Sequence, residues 1–170
     1  SPGGTHFRRW TPSSAWKPTA RMVISPPQAW VLKREILWIP IVGWGTWLTR
    51  PIAINRSARR SAVNQVVHQG KERLAAGMWI LIFPEGTRVP IGQQRRYGIS
   101  GGLLASQTGK LIVPVAHDAG RYWGRRGLLK RRGTVRVVIG PPIHAAGRDA
   151  REITEDVRAW IDAKTAELGA

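Results

Sequence analysis

The stretch Met78-Trp79-Ile80-Leu81-Ile82-Phe83-Pro84-Glu85-Gly86-Thr87-Arg88 decides how this chain is read. Residues 78–83 are continuously apolar and short, the pattern of a strand buried on both faces. Pro84 and Gly86 then end the strand, so a carboxylate, a hydroxyl and a guanidinium project from one tight turn at its C-terminal end. In open α/β sheets ligands bind at that end of the strands. The planar fork of Arg88 suits a phosphate, because it donates two parallel charge-assisted hydrogen bonds. Glycine at position 86 lets a ligand approach the backbone closely. The alternative is a strand-ending turn in which Glu85 and Arg88 merely pair with each other.

Working outward, Ala29-Trp30-Val31-Leu32 and Pro51-Ile52-Ala53-Ile54 read as two earlier strands. A helix follows from a cap at Ser57 or Ser61 to about Ala76. Ala62, Val63, Val66, Val67 and Leu74 share one face, and Gly77 stops it. Gly101 to Thr108 fits a short helix ended by Gly109. Leu111–Ala116 and Val135–Ile139 read as strands, separated by a basic loop from Arg121 to Arg132. Asp149 to Leu168 carries Ile153, Val157, Trp160, Ile161 and Leu168 at helical spacing, with acids near its start. Strands alternating with helices predict a single α/β domain whose central sheet, mixed or largely parallel, is flanked by helices. Residues 1–25 form an irregular, atypical segment, and residues 26–170 form the domain.

At 170 residues with 42% hydrophobic side chains, one core is affordable and a second domain is not required. Cysteine is absent, which excludes disulfides, thiolate metal ligands and thiol nucleophiles. The four histidines are scattered and make no metal-type cluster with carboxylates. The net charge of +17 favours polyanionic partners: nucleic acid, an anionic membrane or phosphorylated substrates. Nine tryptophans stand beside only two tyrosines and two phenylalanines. Tryptophan with arginine suits a membrane interface; the alternative is core tryptophans plus a compositional arginine bias. The longest uncharged stretch, Ile36 to Thr49, is broken by Pro40, Gly43 and Gly45 and is too short to span a bilayer. It reads as a segment able to lie in an interface. The chain starts without methionine and has no signal-peptide pattern, which reads as a fragment or a trimmed start.

Three blocks now line up in order: Val31-Leu32-Lys33-Arg34-Glu35 through Ile52-Ala53-Ile54-Asn55-Arg56, then Phe83–Arg88, then Ile112-Val113-Pro114-Val115-Ala116. Together they resemble the glycerolipid acyltransferase family, in particular its bacterial 1-acyl-glycerol-3-phosphate acyltransferases. The resemblance covers roughly residues 26 to 143 and is specific in combination. It implies that family's fold and an acyl transfer. The donor is an acyl thioester on coenzyme A or acyl carrier protein. The acceptor is the free hydroxyl of lysophosphatidic acid, and the product is phosphatidic acid. No cofactor is implied, since the thioester is a co-substrate. The bilayer-resident acceptor implies an anionic membrane surface as partner, at the cytoplasmic face of a bacterial inner membrane. The basic loop Arg121–Arg132, with its Trp and Leu, suits such a surface.

Carried over by position, Arg56 is implicated in holding the acceptor phosphate. Arg88 contacts phosphate as well, and Glu85, Gly86 and Thr87 shape the acceptor site. Pro114 packs near the site and helps admit the acyl chain. Lys33 and Arg34 are further phosphate or donor contacts; the alternative for each cation is a solvated surface charge. His117 and Asp118 are adjacent on a strand and point to opposite faces, so they cannot act as a pair. His117 reads as a pocket or core histidine, His68 as a structural residue of its helix, and His144 as a loop residue.

One block departs from the resemblance. The family uses a His as general base on the acceptor hydroxyl, with an acid five positions later that orients and charge-stabilises the ring. Here Ser14-Ala15-Trp16 resembles the middle of that block, so the His falls at Pro12 and the acid at Lys17. Proline carries no base and lysine has the wrong charge. His6 is followed five positions later by Thr11, which is no acid. Either the N-terminal text is altered, or the chain is an inactive relative that binds lipid or phosphate. The N-terminal hydrophobic segment common in the family is also missing, which reads as a truncated start. A third reading, a nucleic-acid-binding module, rests on charge alone and has no motif behind it.

Overall fold

The computed structural model describes residues 27–39, 42–54, 59–87, 89, 93, 95–124 and 130–169. The first strand, β1 (Gln28–Lys33), runs into a 3-10 segment, Arg34–Trp38, and then helix α1 (Val42–Leu48). Strand β2 (Ile52–Ile54), helix α2 (Arg59–Ala75) and strand β3 (Trp79–Leu81) follow. The second half is α3 (Ser100–Thr108), β4 (Val115–His117), a 3-10 turn at Ala119–Arg121, β5 (Val137–Ile139) and α4 (Ala150–Leu168).

β1 is the central strand of a three-stranded parallel sheet in the order β2-β1-β3. Val31 lies opposite Ile52 and Lys33 opposite Ile54, while Gln28 lies opposite Trp79 and Trp30 opposite Leu81. Parallel pairing requires crossovers, and α1 and α2 supply them. One face is closed by α2: Ala29, Ile52, Val66 and Met78 are buried together, with Val31, Ile54, Ile80 and Ile82 packed around them. Gly77, in the left-handed region at φ 75°, turns the chain from α2 into β3, and its N–H caps the carbonyl of Leu74 at 3.1 Å.

The fold is α/β, as the sequence predicts, but the last two strands make a separate antiparallel pair. β4 and β5 match Val115 with Ile139 and His117 with Val137. The sequence predicts a strand over Leu111–Ala116, whereas regular pairing starts only at Val115. Pro114 has no N–H to give a ladder and faces Gly140, and Pro141-Pro142 follow on the partner strand, so Ile112 and Ile143 join through an isolated bridge. β3 is likewise shorter than the apolar run 78–83: its pairing with β1 ends where Leu81 meets Trp30, and the turn at Pro84 follows.

α4 packs across α3 and β4. Asp149 caps it, its side chain accepting from the N–H of Arg151 at 2.8 Å, and Gly169 at φ 68° ends it. Ala105, Ala145 and Ile153 form the second buried cluster, with Ile112 against it. The two helices approach closely at Gly102, where a Cβ would sit 2.4 Å from both the carbonyl oxygen of Ala150 and the hydroxyl of Thr154.

Candidate functional site

All three parallel strands point the same way, so their C-terminal ends share one edge of the sheet. Lys33 ends β1, Ile54 ends β2, and the turn after β3 opens beyond Leu81. In that turn the N–H of Gly86 donates to the carbonyl of Phe83 at 3.0 Å, and Gly86 has φ 67°. A side chain there would be strained, so the turn selects glycine. The returning chain is pinned across it, the N–H of Gly98 donating to the carbonyl of Pro84 at 2.8 Å. Behind the turn, Phe83 lies against Trp30 with ring centroids 6.3 Å apart. Glu85 and Thr87 are both half-buried.

Glu85 is the electrostatically distinctive residue of this turn. Its pKa is raised above the ordinary glutamate value, first by burial and then by the negative charge of Asp162; His117 and Arg95 act in the opposite direction. Asp162 reaches the site from α4. It accepts a long hydrogen bond of 3.4 Å from the hydroxyl of the buried Tyr97 and an ion pair of 3.4 Å from Arg158. The Tyr97 hydroxyl is itself pushed well up, by burial first and then by the charges of Asp162 and Glu85. Two carboxylates, a tyrosine, a histidine and two arginines from four separate chain segments therefore converge beside the turn. A half-buried carboxyl of this kind gives up its proton less readily than usual, and its oxygens can accept from a ligand hydroxyl.

The residues singled out from the sequence divide into three groups. Glu85, Gly86 and Thr87 form the turn itself, and His117 lies close enough for its charge to act on Glu85. Lys33 and Arg34 are exposed at the same sheet edge, where Lys33 pairs with Glu35 at 3.7 Å. Pro114 is buried at the start of β4, and its carbonyl accepts from the N–H of Gly140 at 2.8 Å, a packing role. Arg56 and Arg88, together with Pro12 and Lys17, lie outside the described residues.

His68 corrects the sequence reading. It does not pack into the helix interface but stands on the solvent face of α2, 79% exposed, with Glu72 one turn away at 3.7 Å. At 3.6 residues per turn its neighbours Val66 and Val67 do not fix which way it faces. His144 is an exposed loop residue, as read. His117 and Asp118 do point apart. His117 is exposed, whereas Asp118 is 0% exposed and takes the N–H and the guanidinium of Arg136 at 2.7 and 2.9 Å. Sequence reasoning missed Tyr97, Arg95, Arg158 and Asp162. Asp162 sits 77 positions after Glu85, and on α4 its spacing marks only a polar helix face. Among the described residues no His, Asp or Glu group could hold a metal ion.

An acyltransferase family model matches residues 14–118. The matched span begins after Pro12 and includes Lys17 and every other residue named for the site in the sequence. The chain is 42% identical over 158 residues to the 1-acyl-sn-glycerol-3-phosphate acyltransferase of Pseudomonas aeruginosa, covering 91% of this chain and 62% of that protein. It is 32% identical over 164 residues to the protein of that name from Escherichia coli, covering 88% and 62%. The crystal structure of the 1-acyl-sn-glycerophosphate (LPA) acyltransferase PlsC from Thermotoga maritima superposes with a TM-score of 0.68 at 26% identity, over 85% of this chain and 58% of that one. The chain thus spans about three fifths of the length of the curated bacterial relatives it matches.

Proposed function

The chain belongs to the acyltransferase family, and from that premise we propose that it transfers an acyl group from an acyl thioester to the free hydroxyl of lysophosphatidic acid, giving phosphatidic acid. The observation that carries this reading is the Glu85-Gly86-Thr87 turn at the carboxyl edge of a parallel sheet, with Glu85 held half-buried. The substrate class is the one printed in the names of the relatives.

In the proposed reaction the acceptor oxygen attacks the thioester carbonyl carbon. The C–O bond forms, the C–S bond breaks, and the leaving thiolate takes up the proton that the hydroxyl gave to a general base. Glu85 and the backbone at Gly86 orient the glycerol phosphate. Arg88 and Arg56 neutralise its phosphate, with Lys33 and Arg34 adding positive potential at the same edge. Coenzyme A and acyl carrier protein both remain donors in this proposal. The site works at the cytoplasmic surface of a bacterial inner membrane, where the acceptor resides. The basic segment around Trp123 and Lys130, stacked cation over ring at 4.4 Å, faces the anionic headgroups.

A second reading is favoured by a specific observation: Pro12 and Lys17 stand where the general base and its acid are expected. On that reading the chain binds the lipid without turning it over. His117 is poorly set to replace the base. Its Nδ1 is taken up by the N–H of Ala119, which donates to it at 3.4 Å. The test compares acyl transfer to lysophosphatidic acid by the chain as given and by the double variant Pro12→His, Lys17→Glu. Turnover by the variant alone supports an intact acceptor site that lacks its base. Turnover by both moves the base elsewhere, with His117→Gln as the next variant. Lipid binding with no turnover by either supports the non-catalytic reading.

A further inference from the structure

Residues 36–49 carry no charged side chain, and Lys33 and Arg34 stand before them and Arg50 after them. The 3-10 segment Arg34–Trp38 and α1 fold back on each other as a short hairpin. The N–H of Gly43 donates to the carbonyl of Ile39 at 2.7 Å, and a Cβ at Gly43 would lie 2.1 Å from the carbonyl oxygen of Leu37, so only glycine closes this contact. The far end is fastened too. Arg50, with φ 49°, donates its N–H to Trp47 at 3.1 Å, and its carbonyl accepts from the guanidinium of Arg73 on α2 at 3.0 Å.

This fastened hairpin turns its largest apolar side chains outward. Trp38 is 78% exposed, Trp44 74%, Trp47 71% and Leu48 78%. Trp44, Trp47 and Leu48 are three and four positions apart and share one helix face. A contiguous apolar patch of this kind marks an interaction site. The surrounding charge selects the occupant. The one acid in residues 27–59 is Glu35, which is already paired with Lys33, while Lys33, Arg34 and Arg50 flank the patch. A second copy would set the same cations of a +17 chain against themselves, which opposes self-association. An anionic lipid surface meets both demands: tryptophan settles at headgroup level and the cations meet the phosphates.

We propose that the α1 hairpin seats in the headgroup layer of an anionic phospholipid bilayer. A helix of seven residues is far too short to cross, and it lies in the interface instead. The hairpin leaves β1 at Lys33, on the sheet edge that carries the Glu85 turn. Docking through it holds that edge against the bilayer, so a lysolipid reaches the turn laterally. This last step rests on the acceptor-site reading above; the docking itself does not.

The test is cosedimentation with phosphatidylcholine vesicles that contain or lack phosphatidylglycerol, using the chain and a Trp44→Ser, Trp47→Ser double variant. The wild-type chain is expected to partition onto the anionic vesicles and weakly onto the neutral ones. The variant should lose at least about tenfold in partitioning, the factor carried by roughly 60 Å2 of lost apolar burial, with an unchanged Tm. Quenching of tryptophan fluorescence by lipids brominated near the headgroup should fall in step. Equal vesicle binding by variant and wild type overturns the proposal, as does equal binding to neutral and anionic vesicles. A wild-type dimer in sedimentation velocity that the variant dissociates also overturns it, because the face then belongs to a second copy. Acyl transfer to a short-chain, dispersed lysophosphatidate reads the catalytic proposal separately. Its failure with vesicle binding intact counts against that proposal alone, and the double variant should match wild type there.

Discussion

Two adjacent glycines of α3 should respond to alanine with opposite signs. At Gly102 a new Cβ would sit 2.4 Å from the Ala150 carbonyl oxygen and 2.4 Å from the Thr154 hydroxyl. Ordinary contact requires roughly 1 Å more. Thr154 cannot rotate away freely, because its hydroxyl donates to that same Ala150 carbonyl at 2.7 Å. Relief therefore needs α3 and α4 to separate, and such overpacking costs about 1–3 kcal/mol. Against this, alanine recovers up to ~1 kcal/mol over glycine in a helix, and less in the first turn, where position 102 lies. Gly102→Ala should be destabilising by about 1–2 kcal/mol net, a fall in Tm of roughly 2–8 °C for a chain of this size. At Gly101 the added Cβ meets only the Cδ1 of Ile82, at 3.6 Å, which is ordinary contact. Gly101→Ala should be stabilising by roughly 0.5 kcal/mol, the smaller gain of a first-turn position. Urea titrations with unchanged m-values, paired with calorimetric Tm, decide the matter. If Gly102→Ala proves as stable as Gly101→Ala, the close helix approach does not set the α3–α4 spacing and the packing argument fails. The variant also moves α4, and Asp162 with it, away from the Glu85 turn, so it should lower activity beyond its loss of folded protein.

Other consequences follow from the site and its supports. Glu85→Gln should lower acyl transfer by about 10–100-fold, the weight of one charge-assisted hydrogen bond of ~1.5–3 kcal/mol, as read from kcat/KM for lysophosphatidate. The same variant should raise Tm at neutral pH. A folded pKa above the ordinary glutamate value means that stability falls as pH rises through the interval between the two, and glutamine removes that fall. A Tm profile from pH 4 to 8 that is identical in wild type and variant would remove Glu85 from its half-buried setting. Asp118 behaves oppositely: the backbone N–H of Arg136 outweighs burial, with help from its guanidinium, and lowers the pKa. Its contribution is present above the ordinary aspartate value and is lost as pH falls below it, so Asp118→Asn should flatten the acid limb of an unfolding curve and lower Tm at pH 7. Gly140→Ala, whose Cβ would fall 2.6 Å from the Trp160 ring, should cost about 1–3 kcal/mol in urea, because a packed indole has no free end to move aside.

Local chemistry wrote much of this protein into its sequence. The apolar run ending in Pro84 and Gly86 marked both a buried strand and the turn after it, since proline removes a donor and glycine alone tolerates φ 67° comfortably. Gly77, Gly109 and Asp149 marked helix ends for equally local reasons. The family was legible too, because its blocks pair a strand pattern with the side chains that follow it. The tertiary structure decided what depends on distant residues meeting. The split between a parallel sheet and an antiparallel pair rests on β4 meeting β5, with Val115 opposite Ile139, rather than adding to β1–β3. The raised pKa of Glu85 depends on its burial first and then on Asp162, brought in by a helix whose approach Gly102 allows. His68 showed the limit plainly: its neighbours are apolar, but the rotation of α2 against the sheet, and not the sequence around it, set it in solvent. Periodicity fixes which residues share a face, and only packing fixes what that face meets.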